Sequence, residues 1–390
     1  MTYNILTLNA IADCGLEQFP RDHYTIASDL ENPDGILVRS QGMHEFSFND
    51  NLKVVGRAGA GVNNIPVDKL TQLGIPVLNT PGANANAVKE LVILGMLLAS
   101  RHIFPAWDYV RQVKGDDQSI HEQVEKQKKQ FVGSELFGKT LGVIGLGSIG
   151  VKVANIALAL GMKVIGYDPA ITVQRAWELS SNVEQAHNLD SLLGQSDFVT
   201  LHVPLIEATR HMMNAACFKA MKQGLVLLNF ARDTIVDSAA LSGALQDKKI
   251  SAYVCDFPTA QFKDHPRVIS LPHLGASTAE AEENCAVMVA KQVRAYLELG
   301  NIQNSVNFPQ IEMPASTGFR LAVANANIPN MVAQISTVLA SAQLNIIDLL
   351  NKSRGDVAYT LIDVNAPISE ELLEKIRAIG GVLHVRRFTP

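Results

Sequence analysis

Apolar positions along the chain keep two rhythms. In the first hundred residues, short β-rich runs at 3–8, 35–39, 53–56 and 76–79 alternate with helical patterns, which predicts the strands of a parallel α/β sheet. A long apolar helix is expected over 86–100, followed by a polar, charge-rich stretch over 114–129 that reads as a solvated helical face, marking a boundary or an oligomer rim. A second series begins at Lys139, with strands over 140–144, 163–167, 198–203, 225–229, 253–256 and 267–271 and a helix over 148–160, a doubly wound pattern. A helix over 278–299 leaves it, and the Asn- and Pro-rich stretch from Gly300 to Ser316 reads as a linker. The tail predicts strand 320–324, helix 331–341, strands 346–352 and 357–363, helix 369–378 and strand 382–388, whose βαββαβ order gives a ferredoxin-like sandwich. The fold class is therefore α/β: two doubly wound, Rossmann-like parallel-sheet domains and a small C-terminal domain.

A chain of 390 residues has room for two or three such domains. Apolar residues make up 47% and charged residues 18%, which excludes a disordered chain. The formal charge of -5, from 33 basic and 38 acidic residues mixed along the chain, leaves no basic face for nucleic acid and no polybasic membrane patch. No basic flank precedes the first apolar run, so no signal peptide is expected, and the apolar segments at 91–98 and 141–144 are too short or interrupted to span a bilayer. Cys14, Cys217, Cys255 and Cys285 lack C-x-x-C spacing, so neither a disulfide framework nor a metal site is indicated, and a reducing cytoplasm is the expected location.

The run G-L-G-S-I-G, Gly145 to Gly150, sits where a buried strand turns into a helix, and Asp168 ends the next strand. In a dinucleotide site Gly145 permits the tight turn, Gly147 lets the backbone approach the pyrophosphate, and Gly150 allows close packing of helix on strand; Ser148 and Ile149 open the helix toward the anion. Asp168 accepts from ribose hydroxyls and repels a 2'-phosphate, which points to NAD over NADP. Hydride transfer also needs a group that holds the substrate and one that takes its proton. Arg232 in N-F-A-R-D-T-I-V-D and His273 in L-P-H-L-G-A-S-T, each just after an apolar strand, qualify.

At these residues the chain resembles the D-isomer-specific 2-hydroxyacid dehydrogenases, most of all the branch that opens serine biosynthesis. The shared runs are V-R-S at Val38 to Ser40, G-R-A-G-A-G-V-N-N at Gly56 to Asn64, N-T-P-G at Asn79 to Gly82, Tyr167-Asp168-Pro169, H-V-P at His202 to Pro204, N-F-A-R, P-H-L-G-A-S-T and N-S-V-N-F-P. The resemblance implies NAD-dependent oxidation of D-3-phosphoglycerate to 3-phosphohydroxypyruvate. It implies a discontinuous substrate-binding domain, 1–100 with 275–312, around a cofactor domain, 101–274, and a homodimer or homotetramer. It assigns carboxylate binding to Arg232, proton exchange to His273, and cofactor contacts to His202, Val203, Pro204, Ala231 and, on the nicotinamide side, Asp256.

The family places a Glu beside its catalytic His, but the stretch here reads D-F-P-T-A-Q-F. Counting from Asp256 puts Gln261 at that position, and counting from Phe257 puts Ala260 there; Gln261 is preferred, as an amide able to orient the imidazole without stabilising its charge. Gly59, Ala60, Gly61 and Val62 form a small-residue turn, either a plain tight turn or a cradle whose amides hold a carboxylate. Beside it stand Ser40 and two arginines, Arg39 and Arg57, which are surface ion-pair formers or, as the resemblance suggests, a grip on a dianionic phosphate. The tail, 317–390, resembles an ACT domain, with Asn325, Asn327 and Asn345 as candidate contacts to a serine effector; a dimerisation module without ligand is the alternative. Two other functions stay open: a dehydrogenase of glyoxylate, hydroxypyruvate or D-lactate, and an NADH-sensing binding protein resembling the C-terminal-binding corepressors.

Replacing the strand-end acid tests the cofactor reading: Asp168→Ala is expected to weaken NAD binding far more than NADP binding by calorimetric titration, and equal losses count against the role.

Overall fold

A computed structural model describes residues 2–315 and 318–388. Ser316, the expected end of the linker, and Thr317, the expected start of the tail, lie outside the described residues, as do Met1, Thr389 and Pro390. The chain divides into two compact units, residues 1–84 with 279–390, and residues 85–278.

The first unit contains β1 (Tyr3–Leu8), β2 (Tyr24–Ala27), β3 (Gly35–Val38), β4 (Val54–Arg57) and β5 (Val77–Leu78), all parallel in the order β2-β1-β3-β4-β5. This is the flavodoxin-like doubly wound order. Four of these strands match the apolar runs; β2 is short, half-polar and at the edge, so nothing in its local pattern announces it. Helix Ala279–Leu299 covers the sheet through Val289 and Val293, both fully buried. Gly56 lies under it: a Cβ there would meet Val289 at 2.6 Å and Val293 at 2.7 Å, so the close approach of helix to strand requires glycine.

The second unit holds β6 (Thr140–Ile144), β7 (Lys163–Tyr167), β8 (Glu184–Gln185), β9 (Phe198–Leu201), β10 (Leu225–Asn229), β11 (Ile250–Cys255) and β12 (Val268–Ser270), parallel in the order β12-β11-β10-β9-β6-β7-β8. Reversal of strand order between β6 and β9 makes the switch point of a Rossmann sheet. All five β10 residues are buried, as a central parallel strand covered on both faces demands. The polar stretch after the first long helix, Ala85–Arg101, does contain a helix, Asp117–Gln127, with no buried residue. A further helix, Ile103–Gln112, precedes it and was not anticipated; it too has no buried residue, and left-handed His102 separates it from the helix before.

After residue 318 the chain forms β13 (Phe319–Ala326), helix Met331–Ser341, β14 (Ile346–Arg354), β15 (Val357–Val364), helix Glu370–Arg377 and β16 (Val382–Phe388). The antiparallel order β14-β15-β13-β16 is the ferredoxin-like arrangement expected. The expected linker is a correction. Ile302, Phe308 and Ile311 are fully buried, Ile302 and Ile311 exchange both backbone hydrogen bonds (2.8 and 3.0 Å), and Asn307 bonds Thr71, Ile75 and Val77. Asn301 and Asn307, which suggested flexibility, instead hold a packed segment by side-chain hydrogen bonds, and the apolar residues beside them carry its core half.

Arg320 fastens the tail to that segment. It forms a bidentate pair with Asp363 at 2.8 and 2.9 Å and donates to the carbonyls of Leu299, Met313 and Pro314, with the two side chains 6% and 2% exposed. A desolvated guanidinium stripped of its carboxylate is costly. Asp363→Ala is expected to destabilise the fold by about 3–5 kcal/mol in urea unfolding, whereas loss of an exposed pair such as Lys375 with Glu371 changes it by under about 1 kcal/mol.

Candidate active site

In the second unit the glycine loop follows β6 directly. Gly145 takes φ +90°, a conformation that favours glycine, and a Cβ there would meet the His202 carbonyl oxygen at 2.6 Å and Val203 at 2.9 Å. A Cβ on Gly150 would lie 1.9 Å from the Gly145 carbonyl oxygen, so this glycine closes the helix onto the turn. Gly147 is different: a Cβ there meets nothing within 4 Å, and the helix it opens, Ser148–Ala159, has no side-chain cap. The amides of its first turn, with Ser148 and Ile149 half-buried, are therefore left for an anion. Open space at the middle glycine and uncapped amides beside it fit a dinucleotide pyrophosphate.

Asp168 stands one residue past β7 and accepts from the amides of Leu146 at 2.8 Å and Ala170 at 2.9 Å. The acid proposed for the ribose thus also pins the glycine loop. His202 contacts Thr200 at 3.0 Å, and burial pushes its imidazole down to about 3, so it is neutral near pH 7. Val203 is half-buried and Pro204 exposed, both next to the turn.

The Arg232 loop is built by a residue that motif reading passed over. Asn229, fully buried at the end of β10, accepts from the Ala231 amide at 3.2 Å and donates to the Arg232 carbonyl at 2.8 Å and the Tyr253 hydroxyl at 3.2 Å. Its amide side chain can serve donor and acceptor at once, so the turn after the strand is held from both sides. Arg232 itself is half-buried and spends one N–H on the Ala231 carbonyl at 2.5 Å. The signal was present as the Asn of N-F-A-R.

Asp256, 2% exposed, accepts from the amides of Leu274 and Gly275, both at 2.7 Å. Those two bonds fix the loop in which His273 adopts a left-handed φ of 57°. A residue other than glycine holds that conformation only when its surroundings impose it. The imidazole is exposed and meets the Phe257 ring edge-on, with centroids 5.3 Å apart and planes at 81°. Gln261 is exposed and makes no hydrogen bond to His273 among the described residues; the buried side chain of its loop is the adjacent Phe262, and the ring in contact with His273 is Phe257.

In the first unit, Arg39 and Ser40 follow β3, and Arg57 ends β4 on the adjoining strand. Arg57 Nε donates to the Arg39 carbonyl at 3.1 Å, and Arg39 pairs with Glu282 at 2.5 Å. Asn9 Oδ1 accepts from the amides of Ser40 at 3.1 Å and Gln41 at 2.6 Å. Gly59, with φ +150°, leaves the space the Arg57 guanidinium fills; Asn79 donates to the Ala60 carbonyl at 2.6 Å, and Gly61 is half-buried. The two arginines and the small-residue turn are thus brought together.

The three asparagines of the tail are not. β13 and β14 both run antiparallel to β15, with Asn325 opposite Ala358 and the Asn345 backbone joined to Asn365. At about 3.4 Å per residue, Asn345 stands roughly 24 Å along the sheet from Asn325. Asn327, next to Asn325, donates to the Gly355 carbonyl at 2.9 Å. Parallel directions of the two strands put the end of one opposite the end, not the start, of the other.

Residues 94–275 match the family model described as D-isomer specific 2-hydroxyacid dehydrogenase, NAD binding domain. The chain is 34% identical over 348 residues to the D-3-phosphoglycerate dehydrogenase of Haemophilus influenzae, covering 86% of this chain and 81% of that one. It belongs to the D-isomer-specific 2-hydroxyacid dehydrogenases. The dehydrogenase is also 40% identical over 259 residues to the hydroxypyruvate reductase of Thermotoga maritima, covering 64% and 78% of the two chains. The NAD+-bound 3-phosphoglycerate dehydrogenase of Entamoeba histolytica shares its fold with a TM-score of 0.64 and 26% identity over 79% of this chain and 99% of that one. Several other curated D-3-phosphoglycerate dehydrogenases are longer, and the chain spans about half their length. Family membership makes it an oxidoreductase whose cofactor is NAD.

The contrast between two glycines is measurable. Gly147→Ala is expected to leave the melting temperature unchanged while weakening NAD binding in calorimetric titration, because the Cβ enters the open space over the helix end. Gly150→Ala is expected to lower both stability and NAD affinity, because its Cβ collides with backbone. Equal melting temperatures for the two variants would contradict the assignment.

Proposed function

We propose that this dehydrogenase oxidises D-3-phosphoglycerate to 3-phosphohydroxypyruvate, the entry step of serine biosynthesis, in the cytoplasm. The carrying observation is the pair of arginines at the ends of adjoining strands, Arg39 and Arg57, tied to each other beside the turn from Gly59 to Gly61. Such a pair suits a phosphate, which carries about -1.5 to -2 at neutral pH, whereas a lactate or glyoxylate has no second anion to place. The activity of the Haemophilus and Entamoeba relatives supports the same reading.

Within the second unit, the planar guanidinium of Arg232 matches the substrate carboxylate in bidentate fashion and polarises the oxygen at C2. His273 takes the C2 hydroxyl proton, its imidazole acting as general base. NAD supplies the hydride acceptor. Asp256 keeps the His273 loop in place through Leu274 and Gly275, and Phe257 sets the plane of the ring.

The domain assignment follows the same reading: substrate binding by 1–100 with 275–312, cofactor binding by 101–274, and a regulatory or oligomerising ACT domain over 317–390. A homodimer or homotetramer fits the exposed apolar residues Ile103, Phe104, Trp107 and Val110 on a helix with no buried residue. A serine site drawing on Asn325, Asn327 and Asn345 together needs residues from a second copy, since one tail holds them at opposite ends of its sheet.

His273→Ala is expected to lower kcat by about 100- to 10,000-fold with a small change in KM. In the reductive direction with NADH, kcat/KM for 3-phosphohydroxypyruvate is expected to exceed those for hydroxypyruvate and glyoxylate. Wild-type turnover by the variant would refute the proton role, and a preference for hydroxypyruvate would move the enzyme toward the activity named for its Thermotoga relative.

A further inference from the structure

Glu282 lies in the first turn of helix Ala279–Leu299, and its Oε1 accepts from Arg39 Nη2 at 2.5 Å. An acid in the first turn of a helix is ordinary, because the helix dipole favours it. Its partner is not ordinary, since Arg39 is half of the arginine pair. The side chains of Arg39 and Glu282 are 36% and 40% exposed, so the pair is open to solvent and to an incoming anion. One turn on, Cys285 is buried, and burial raises its thiol while Arg57 and Arg39 pull it down and Glu282 pushes it up; the two guanidiniums and the carboxylate therefore act on one small region.

An anion that approaches Arg39 finds the charge already matched. It either shares the remaining N–H donors of the guanidinium or displaces the carboxylate, and in both cases it comes close to a negative group. Coulomb repulsion scales with the charge of the newcomer, so a phosphate dianion meets about twice the opposition that a monoanion does. An uncharged hydroxymethyl group in the same place meets almost none.

We propose that Glu282 is a specificity-determining residue which, by pairing with Arg39, reduces the enzyme's preference for a phosphorylated over an unphosphorylated 2-oxo acid. The inference rests on reading Arg39 and Arg57 as the phosphate grip. It makes the carboxylate a brake on affinity for the phosphorylated substrate, holding its KM above the value that the arginines alone would set.

Glu282→Gln keeps the size and hydrogen-bonding capacity of the side chain and removes its charge. In steady-state reduction with NADH, the variant is expected to lower KM for 3-phosphohydroxypyruvate by about three- to fivefold, a modest factor because the pair is half-exposed and screened. KM for hydroxypyruvate and both kcat values should stay within about twofold. A residue that merely positions Arg39 gives the opposite sign: KM for the phosphorylated substrate rises in Glu282→Ala and partly recovers in Glu282→Gln. A residue that only stabilises the helix lowers the melting temperature and shifts both substrates in parallel. Either result overturns the proposal. Arg39→Ala separates the two levels of inference. If it leaves the KM of the phosphorylated substrate unchanged, the phosphate grip itself fails; if it raises that KM while Glu282→Gln changes nothing, only the role of Glu282 fails.

Discussion

Asp256 leaves β11 with its carboxylate buried, and both oxygens accept amides from the loop that carries His273. The same device recurs along that edge of the sheet. Asp168, just past β7, holds the glycine loop through Leu146, and Asn229, at the end of β10, holds the Arg232 loop through Ala231 and the Arg232 carbonyl. Parallel strands end with backbone groups that no neighbouring strand satisfies, and a buried amide left alone costs about 1–3 kcal/mol. Side chains from the strand ends answer that need. In doing so they set three loops, so one requirement of the backbone positions the glycine run Gly145 to Gly150, Arg232 and His273.

The histidine illustrates what such anchoring permits. Its left-handed backbone is sustained by two short bonds to a buried acid, and its ring is set by contact with Phe257. Among the described residues no carboxylate or amide bonds the imidazole, and the ring contact is with Phe257. In the first unit the logic is electrostatic. Arg39 and Arg57 extend from neighbouring strands and are tied through the Arg39 carbonyl, while Glu282 reaches them from the helix that covers the sheet. A charge brought by tertiary packing acts on a pair that strand register had already placed.

Much of this was legible from local pattern. The apolar runs at β1, β6, β7 and β10 and the helix Met331–Ser341 begin and end where their periodicity does, because strands inside a parallel sheet must be largely apolar and the helix must present one stripe. β2 and the helix Ile103–Gln112 were not: the first is a short edge strand with a half-polar pattern, and the second keeps its apolar side chains exposed, so neither carries the signature of burial. The segment from Gly300 was misread because composition reports the polar residues without showing that Asn307 bonds Thr71, Ile75 and Val77.

The sequence by itself determined the glycine loop, its acid, and the arginine and histidine motifs, since each is a local demand of turn geometry or chemistry confined to a few neighbouring residues. Tertiary structure alone decided that the His273 ring meets Phe257, that Asn345 stands far from Asn325 and Asn327, and that Glu282 meets Arg39 across 243 residues of chain. Those outcomes depend on register and packing between distant segments, and no short-range pattern encodes the distance between them.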